Sequence, residues 1–194
     1  QMYAAKHGRK ATRCMLEQFA NFCMKKGDEL DDGDSEKKMK GRAVFLGDNV
    51  KDQDHNSAIF EEFGSSPPTM EASRALDAVS LFPGFCLTQS DAASAYTQAL
   101  LKGTPTWVRL PKNRCPKAWE HIEDPVCPLA LALYGHPDAG GYWEEHCEKA
   151  VLACGFVTIE GWRSVYFHPK TRSLLGIYVD DFRMASPEGK CNEC

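Results

Sequence analysis

Three aspartates are the residues of this chain best suited to chemistry. Asp180 and Asp181 stand side by side in Tyr178-Val179-Asp180-Asp181, after the apolar run Leu174-Leu175-Gly176-Ile177 and before Phe182. Unpaired charge in such a run is costly to bury. A hairpin tip at a divalent cation removes that cost, because Mg²⁺ takes carboxylate oxygens as ligands. Asp91 ends the apolar stretch that begins at Phe85 and precedes Ala92-Ala93-Ser94-Ala95-Tyr96. Two carboxylates on a turn and a third from a neighbouring strand suit two-metal nucleotidyl transfer, with ions about 4 Å apart. One ion activates the attacking oxygen and the other steadies a triphosphate. Blander alternatives stand beside this: Asp-Asp is an ordinary turn composition, and Asp is a favoured helix N-cap.

The surrounding pattern predicts elements able to position these groups. Met15, Phe19, Phe22 and Cys23 recur at helical spacing within residues 8–26, which predicts a helix there. Lys25 to Lys40 is a mixed-charge run that reads as a solvated linker. Residues 42–46 form a short strand pattern, and Lys51 to Ser57 a polar loop. Ser65-Ser66-Pro67-Pro68-Thr69 opens a helix expected to reach about Phe82, with Met70, Ala75, Leu76 and Val79 on its apolar face. Phe85 to Thr88 and Trp107 to Leu110 read as strands. Tyr142 to Cys154 reads as an amphipathic helix with Trp143, Cys147, Ala150, Val151 and Cys154 on one side, capped by Gly155. Two strands, 164–168 and 174–179, are expected after it.

Composition narrows the class. No uninterrupted apolar stretch is long enough for a membrane-spanning helix, and the first residues lack a secretory pattern. Nine irregularly spaced cysteines then read as reduced intracellular thiols. The final Cys191-Asn192-Glu193-Cys194 has no second pair, so zinc is its weaker reading. His136, His146 and His168 share no ligand spacing and read as surface or packing residues. Net charge is −4, so the strongly basic footprint of many nucleic-acid binders is absent.

Four blocks together carry a resemblance. Gln89-Ser90-Asp91-Ala92-Ala93-Ser94-Ala95-Tyr96 resembles the first catalytic motif of reverse transcriptases, and Trp107-Val108-Arg109-Leu110-Pro111 follows it. Ala132-Leu133-Tyr134-Gly135 with Trp143, and then Tyr178-Val179-Asp180-Asp181, complete the order. Over residues 40–186 the chain resembles the reverse-transcriptase domain of a copia-type LTR retrotransposon polyprotein. Two departures stand out: Pro137 occupies the place of a usual lysine, and Ala139-Gly140 that of a usual Ala-Pro.

The resemblance implies an α+β fold of fingers and palm, an antiparallel sheet packed by helices and truncated before the thumb. Residues 1–39 would be an N-terminal helix and charged linker, 40–186 the partial fingers–palm, and 187–194 a tail. Asp91, Asp180 and Asp181 would be catalytic and hold two Mg²⁺ ions, or Mn²⁺ in their place. The Ala92 carbonyl would add a metal ligand. Tyr96 would exclude a ribose 2′-OH, with core packing as its alternative. Lys40 and Arg42 would pair with the triphosphate, with a solvated linker end as their alternative. Gly135 would let the backbone approach the templating pair, and Tyr178 would join the substrate contacts. The implied activity is RNA-directed DNA polymerisation from a dNTP onto a primer 3′-OH. An inactive remnant or a non-catalytic RNA-binding fragment is the alternative. The implied partners are RNA template, DNA primer and dNTP, with thumb, ribonuclease H and integrase domains in the same polyprotein. The implied location is a cytoplasmic virus-like particle or the nucleus. A start at Gln1 and an end thirteen residues after Asp181 lead one to expect a fragment.

Overall fold

The computed structural model describes residues 15–26, 38–47, 50–52, 54, 56–58, 60, 67–110 and 115–190. In chain order the strands are β1 (Met15–Lys26), β2 (Lys38–Phe45), β3 (Phe85–Asp91), β4 (Thr106–Arg109), β5 (Val126–Pro128), β6 (Val157–Ile159), β7 (Trp162–His168), β8 (Ser173–Tyr178) and β9 (Asp181–Pro187). Among the described residues two α-helices accompany them, α1 (Met70–Ser80) and α2 (Ala139–Ala153). The protein is thus mixed α and β, with an antiparallel sheet and few helices. Its contacts divide it into two units, Gln1–Glu62 with Leu100–Ala139, and Phe63–Ala99 with Gly140–Cys194.

The second unit is built on a five-stranded sheet of order β3-β9-β8-β7-β6, every neighbouring pair antiparallel. Its central strand explains why the apolar run around residue 175 exists. β8 is buried from Ser173 to Ile177, because both of its faces are covered and alternation with polar residues would strand them inside. Leu174 packs with Ala72 and Leu76 of α1 on one face. Leu175 and Ile177 pack with Trp143, Cys147 and Val151 of α2 on the other. Full burial of each such side chain contributes roughly 1.5–3 kcal/mol, so this sandwich is the stabilising centre of the unit.

Local signals fix the two helices. The Thr69 hydroxyl accepts from the Ala72 N–H at 3.2 Å and caps α1, satisfying one of the amides a helix start leaves free. The helix stops at Ser80, before the turn of Pro83 and Gly84, rather than at Phe82. Met70, expected on its apolar face, is exposed, while Ala72 is fully buried. On α2, Trp143, Cys147 and Val151 recur every four residues and are all buried. Ala150 and Cys154, expected on that side, are exposed. Gly155 ends the helix in the left-handed region (φ 96°) with its N–H on the Leu152 carbonyl at 3.0 Å. Four strands follow α2 instead of the two expected.

The first unit holds a four-stranded sheet of order β2-β1-β4-β5. Here the expected N-terminal helix is corrected. Residues 15–26 are strand β1, antiparallel to β2 from Phe19↔Phe45 to Lys26↔Lys38 and parallel to β4 from Met15↔Thr106 to Gln18↔Arg109. Leu16, Ala20 and Met24 fill the opposite parity to Met15, Phe19 and Cys23. Apolar spacing there shows no strand alternation, and pairing with distant segments decides the element. The end of the supposed linker, Lys38 to Lys40, belongs to β2. Residues 8–14 of the expected helix, the linker centre, Ser65 and Ser66, and Cys191 to Cys194 lie outside the described residues.

Candidate functional site

Tyr178 and Asp181 are cross-strand partners, so Val179 and Asp180 alone connect β8 to β9. Two-residue hairpin loops need a left-handed residue and usually supply Gly or Asn for it. This one uses valine: Val179 has φ 57°. A β-branched residue there is strained, by about 1–3 kcal/mol for such outliers, so surrounding contacts must hold it. Two do. The Trp143 indole N–H donates to the Val179 carbonyl at 2.6 Å. The Ala92 N–H donates to the Asp180 carbonyl at 2.7 Å. The tip is tied to α2 on one side and to the chain leaving β3 on the other.

β3 ends on Asp91, and its register along β9 runs from Phe85↔Pro187 to Asp91↔Asp181. Opposed residues of antiparallel strands share a face, with Cα atoms about 4.5–5.5 Å apart. Asp91 therefore meets Asp181 directly, and Asp180 sits one residue earlier in the turn. Asp91 and Asp181 are exposed and Asp180 is half-buried. Asp91 is not a helix cap: the next helical turn, Ala95–Gln98, starts after Ser94, which makes no side-chain cap bond.

Among the described residues, no three His, Cys, Asp or Glu side chains are grouped so as to hold a metal ion. The backbone aligns the three carboxylates, then, without gathering their oxygens into a preformed cluster. Like charges repel at such spacing, and exposed side chains change rotamer readily. Carboxylates as a class are hard oxygen donors, which suit a hard divalent cation such as Mg²⁺.

Around this end of the sheet, Ala92 and Tyr96 are half-buried against the α2-side core. Ala92 engages the tip through its N–H. Tyr178 is exposed at the end of β8. Arg183, two residues along β9 from Asp181, pairs with Asp77 of α1. A cavity of about 540 Å³ opens beneath Trp143, lined also by Thr88, Gln98, Cys147, Phe182 and Met184. Burial pushes the Cys147 thiol there up to about 11, so it stays protonated and is no nucleophile at neutral pH.

Lys40, Arg42 and Gly135 belong to the first unit. Lys40 and Arg42 lie on β2, opposite Met24 and Phe22. Gly135 has φ 90°, and a Cβ on it would stand 2.0 Å from the Phe45 carbonyl oxygen. That close approach is to β2, where the Phe45 N–H also donates to the Tyr134 carbonyl at 2.7 Å. The next residue, His136, is buried beside Phe45 and Phe60. Its Nδ1 accepts from the Asp138 N–H at 3.1 Å, which leaves the proton on Nε2, facing the Thr106 hydroxyl at 3.3 Å. Burial lowers its pKa from 6.5 to about 4. His168 is likewise buried, its Nδ1 accepting from the Thr171 N–H at 3.1 Å and its Nε2 facing the Cys154 carbonyl at 3.2 Å. Both imidazoles are packing residues, as their spacing suggests.

Two functional features escaped the sequence, the indole bond of Trp143 and the amide bond of Ala92. Trp143 falls in a quoted motif, yet nothing in its spacing names a partner 36 positions later. No helix among the described residues is long and apolar enough to cross a membrane. Compared with protein-family models, curated proteins and solved structures, the chain matches none of them.

Proposed function

We propose that this chain carries the nucleotidyl-transfer site of an RNA-directed DNA polymerase of the kind copia-type LTR retrotransposons encode. The observation that carries the reading is the register of β3 on β9, which sets Asp91 opposite Asp181 beside the Asp180 turn. The strained turn adds support, because residues held in rare backbone conformations cluster at functional sites.

In this reading Asp91, Asp180 and Asp181 hold Mg²⁺. The metal supplies activation of the primer 3′-oxygen and neutralisation of the triphosphate charge. The chain's own residues orient the reactants. Tyr96 borders the deoxyribose, and Tyr178 and Ala92 border the substrate. Template RNA and primer DNA are the macromolecular partners, with the other polyprotein domains beside them.

Primer extension on an RNA template with Mg²⁺ tests the reading. Asp180→Asn is expected to lower the rate by about a hundred-fold or more, and equal activity of variant and parent overturns it. The ungathered carboxylates favour a second reading, a non-catalytic remnant that holds RNA. Titration with Mn²⁺ followed by electron paramagnetic resonance separates the two. Uptake lost in Asp91→Asn and Asp180→Asn supports the polymerase, and RNA binding indifferent to both substitutions and to metal supports the remnant.

A further inference from the structure

We infer that Trp143 is a positioning residue, whose indole holds the hairpin tip in its left-handed turn and so sets where Asp180 and Asp181 stand. Val179 would not choose φ 57° by itself, and the turn lacks the Gly or Asn that would make it easy. The indole supplies the missing restraint, since its one donor meets the Val179 carbonyl at 2.6 Å. The Trp143 side chain cannot easily release that bond. It is buried with Cys147, Val151, Tyr166 and Ile177, and a buried indole N–H left without an acceptor is costly. The ring is also stacked on His146 with centroids 6.0 Å apart.

The opposite side of the tip supplies a reporter. The Ala92 N–H reaches the Asp180 carbonyl at 2.7 Å, so its protection from hydrogen exchange depends on where the tip sits. If the indole sets the tip, removing the donor must loosen the Ala92 bond even though Trp143 and Ala92 lie on different elements. Glycine at position 179 must relieve the dependence, because glycine adopts positive φ without strain.

The effect on catalysis rests on the polymerase reading; the clamp itself does not. Hydrogen exchange on the full chain therefore tests the clamp without metal, substrate or activity. Replacing Trp143 with the isostere benzothienylalanine, which exchanges the N–H for sulfur and keeps the bulk, is expected to lower Ala92 protection about ten-fold while Leu175 in the sheet centre keeps its own. Trp143→Phe is expected to act in the same direction. Adding Val179→Gly to either is expected to restore most of the Ala92 protection. Unchanged Ala92 protection, or equal losses at Ala92 and Leu175 that Val179→Gly leaves in place, overturns the inference. In primer extension the isostere is expected to lower kcat about ten-fold with KM for dNTP unchanged, because misplacement of reacting groups acts on the chemical step. A rise in KM alone overturns the positioning role. A parent chain inactive in primer extension, with Ala92 responding as expected, leaves the clamp standing and removes only the polymerase reading.

Discussion

Residues 63–99 and 140–194 bury aliphatic and aromatic side chains on both faces of one antiparallel sheet, with Asp91, Asp180 and Asp181 at its rim. They also keep an imidazole inside, His168 beside Phe156, as residues 1–62 and 100–139 keep His136 beside Phe45 and Phe60. Burial lowers the His136 pKa and ties its unit to pH, while β8 of the other unit is covered by apolar packing on both faces.

The sharpest way to break this comparison is in the apolar core. Leu175→Ala is expected to cost about 3 kcal/mol, read as a lower urea midpoint for the transition followed at Tyr166 and Trp143; a cost below about 1 kcal/mol would mean the two-faced burial matters little. Next comes pH. The folded pKa of His136 lies below its ordinary value, so between 6.5 and about 4 the unfolded chain binds the extra proton. Stability is therefore complete above 6.5, falls as pH drops through that window, and levels off below about 4. A loss of about 3 kcal/mol by pH 4 is expected, absent from His136→Gln in parallel urea titrations at each pH. The smallest effect is expected at the Arg183–Asp77 pair, both partners of which are partly exposed. Arg183→Ala should shift stability by no more than about 1 kcal/mol, and by less still at high salt. A larger loss would make charge, and not apolar packing, the support of that sheet face.

How far the sequence foretold this structure depends on where each decision was made. The helix of Trp143, Cys147 and Val151 was legible because its apolar residues meet one sheet and repeat every turn. The strand through Leu174, Leu175 and Ile177 was legible because a run buried on both faces is apolar throughout. β1 was not, since residues 15–26 show helical spacing without strand alternation, and partners at residues 38–45 and 106–109 settle the choice. A hairpin tip at Asp180-Asp181 was foreseen, but not the extent of the strand β9 that leaves it, Asp181–Pro187. At the site, the neighbouring places of Asp91 and the Asp180–Asp181 pair were foreseen. That Asp181 rather than Asp180 would face Asp91 depended on a register no motif records. Gly135 was singled out for a substrate, and the observed close approach is to the Phe45 carbonyl.

That register makes the site all-or-none along the chain. β3 is fastened to its neighbour at both ends, by the Glu188 N–H on the Gly84 carbonyl at 2.8 Å and by the Ala92 N–H on the Asp180 carbonyl at 2.7 Å. Side chains alternate faces with a period of two, so sliding β3 by one step would send Asp91 through to the helix-α2 side of the sheet. A single-residue insertion between Gly84 and Asp91 would thus abolish the facing carboxylates while leaving every aspartate of the sequence in place. An intact set of motifs in a related chain is therefore no guarantee of an intact site; the spacing from Gly84 to Asp91 is the more telling thing to count.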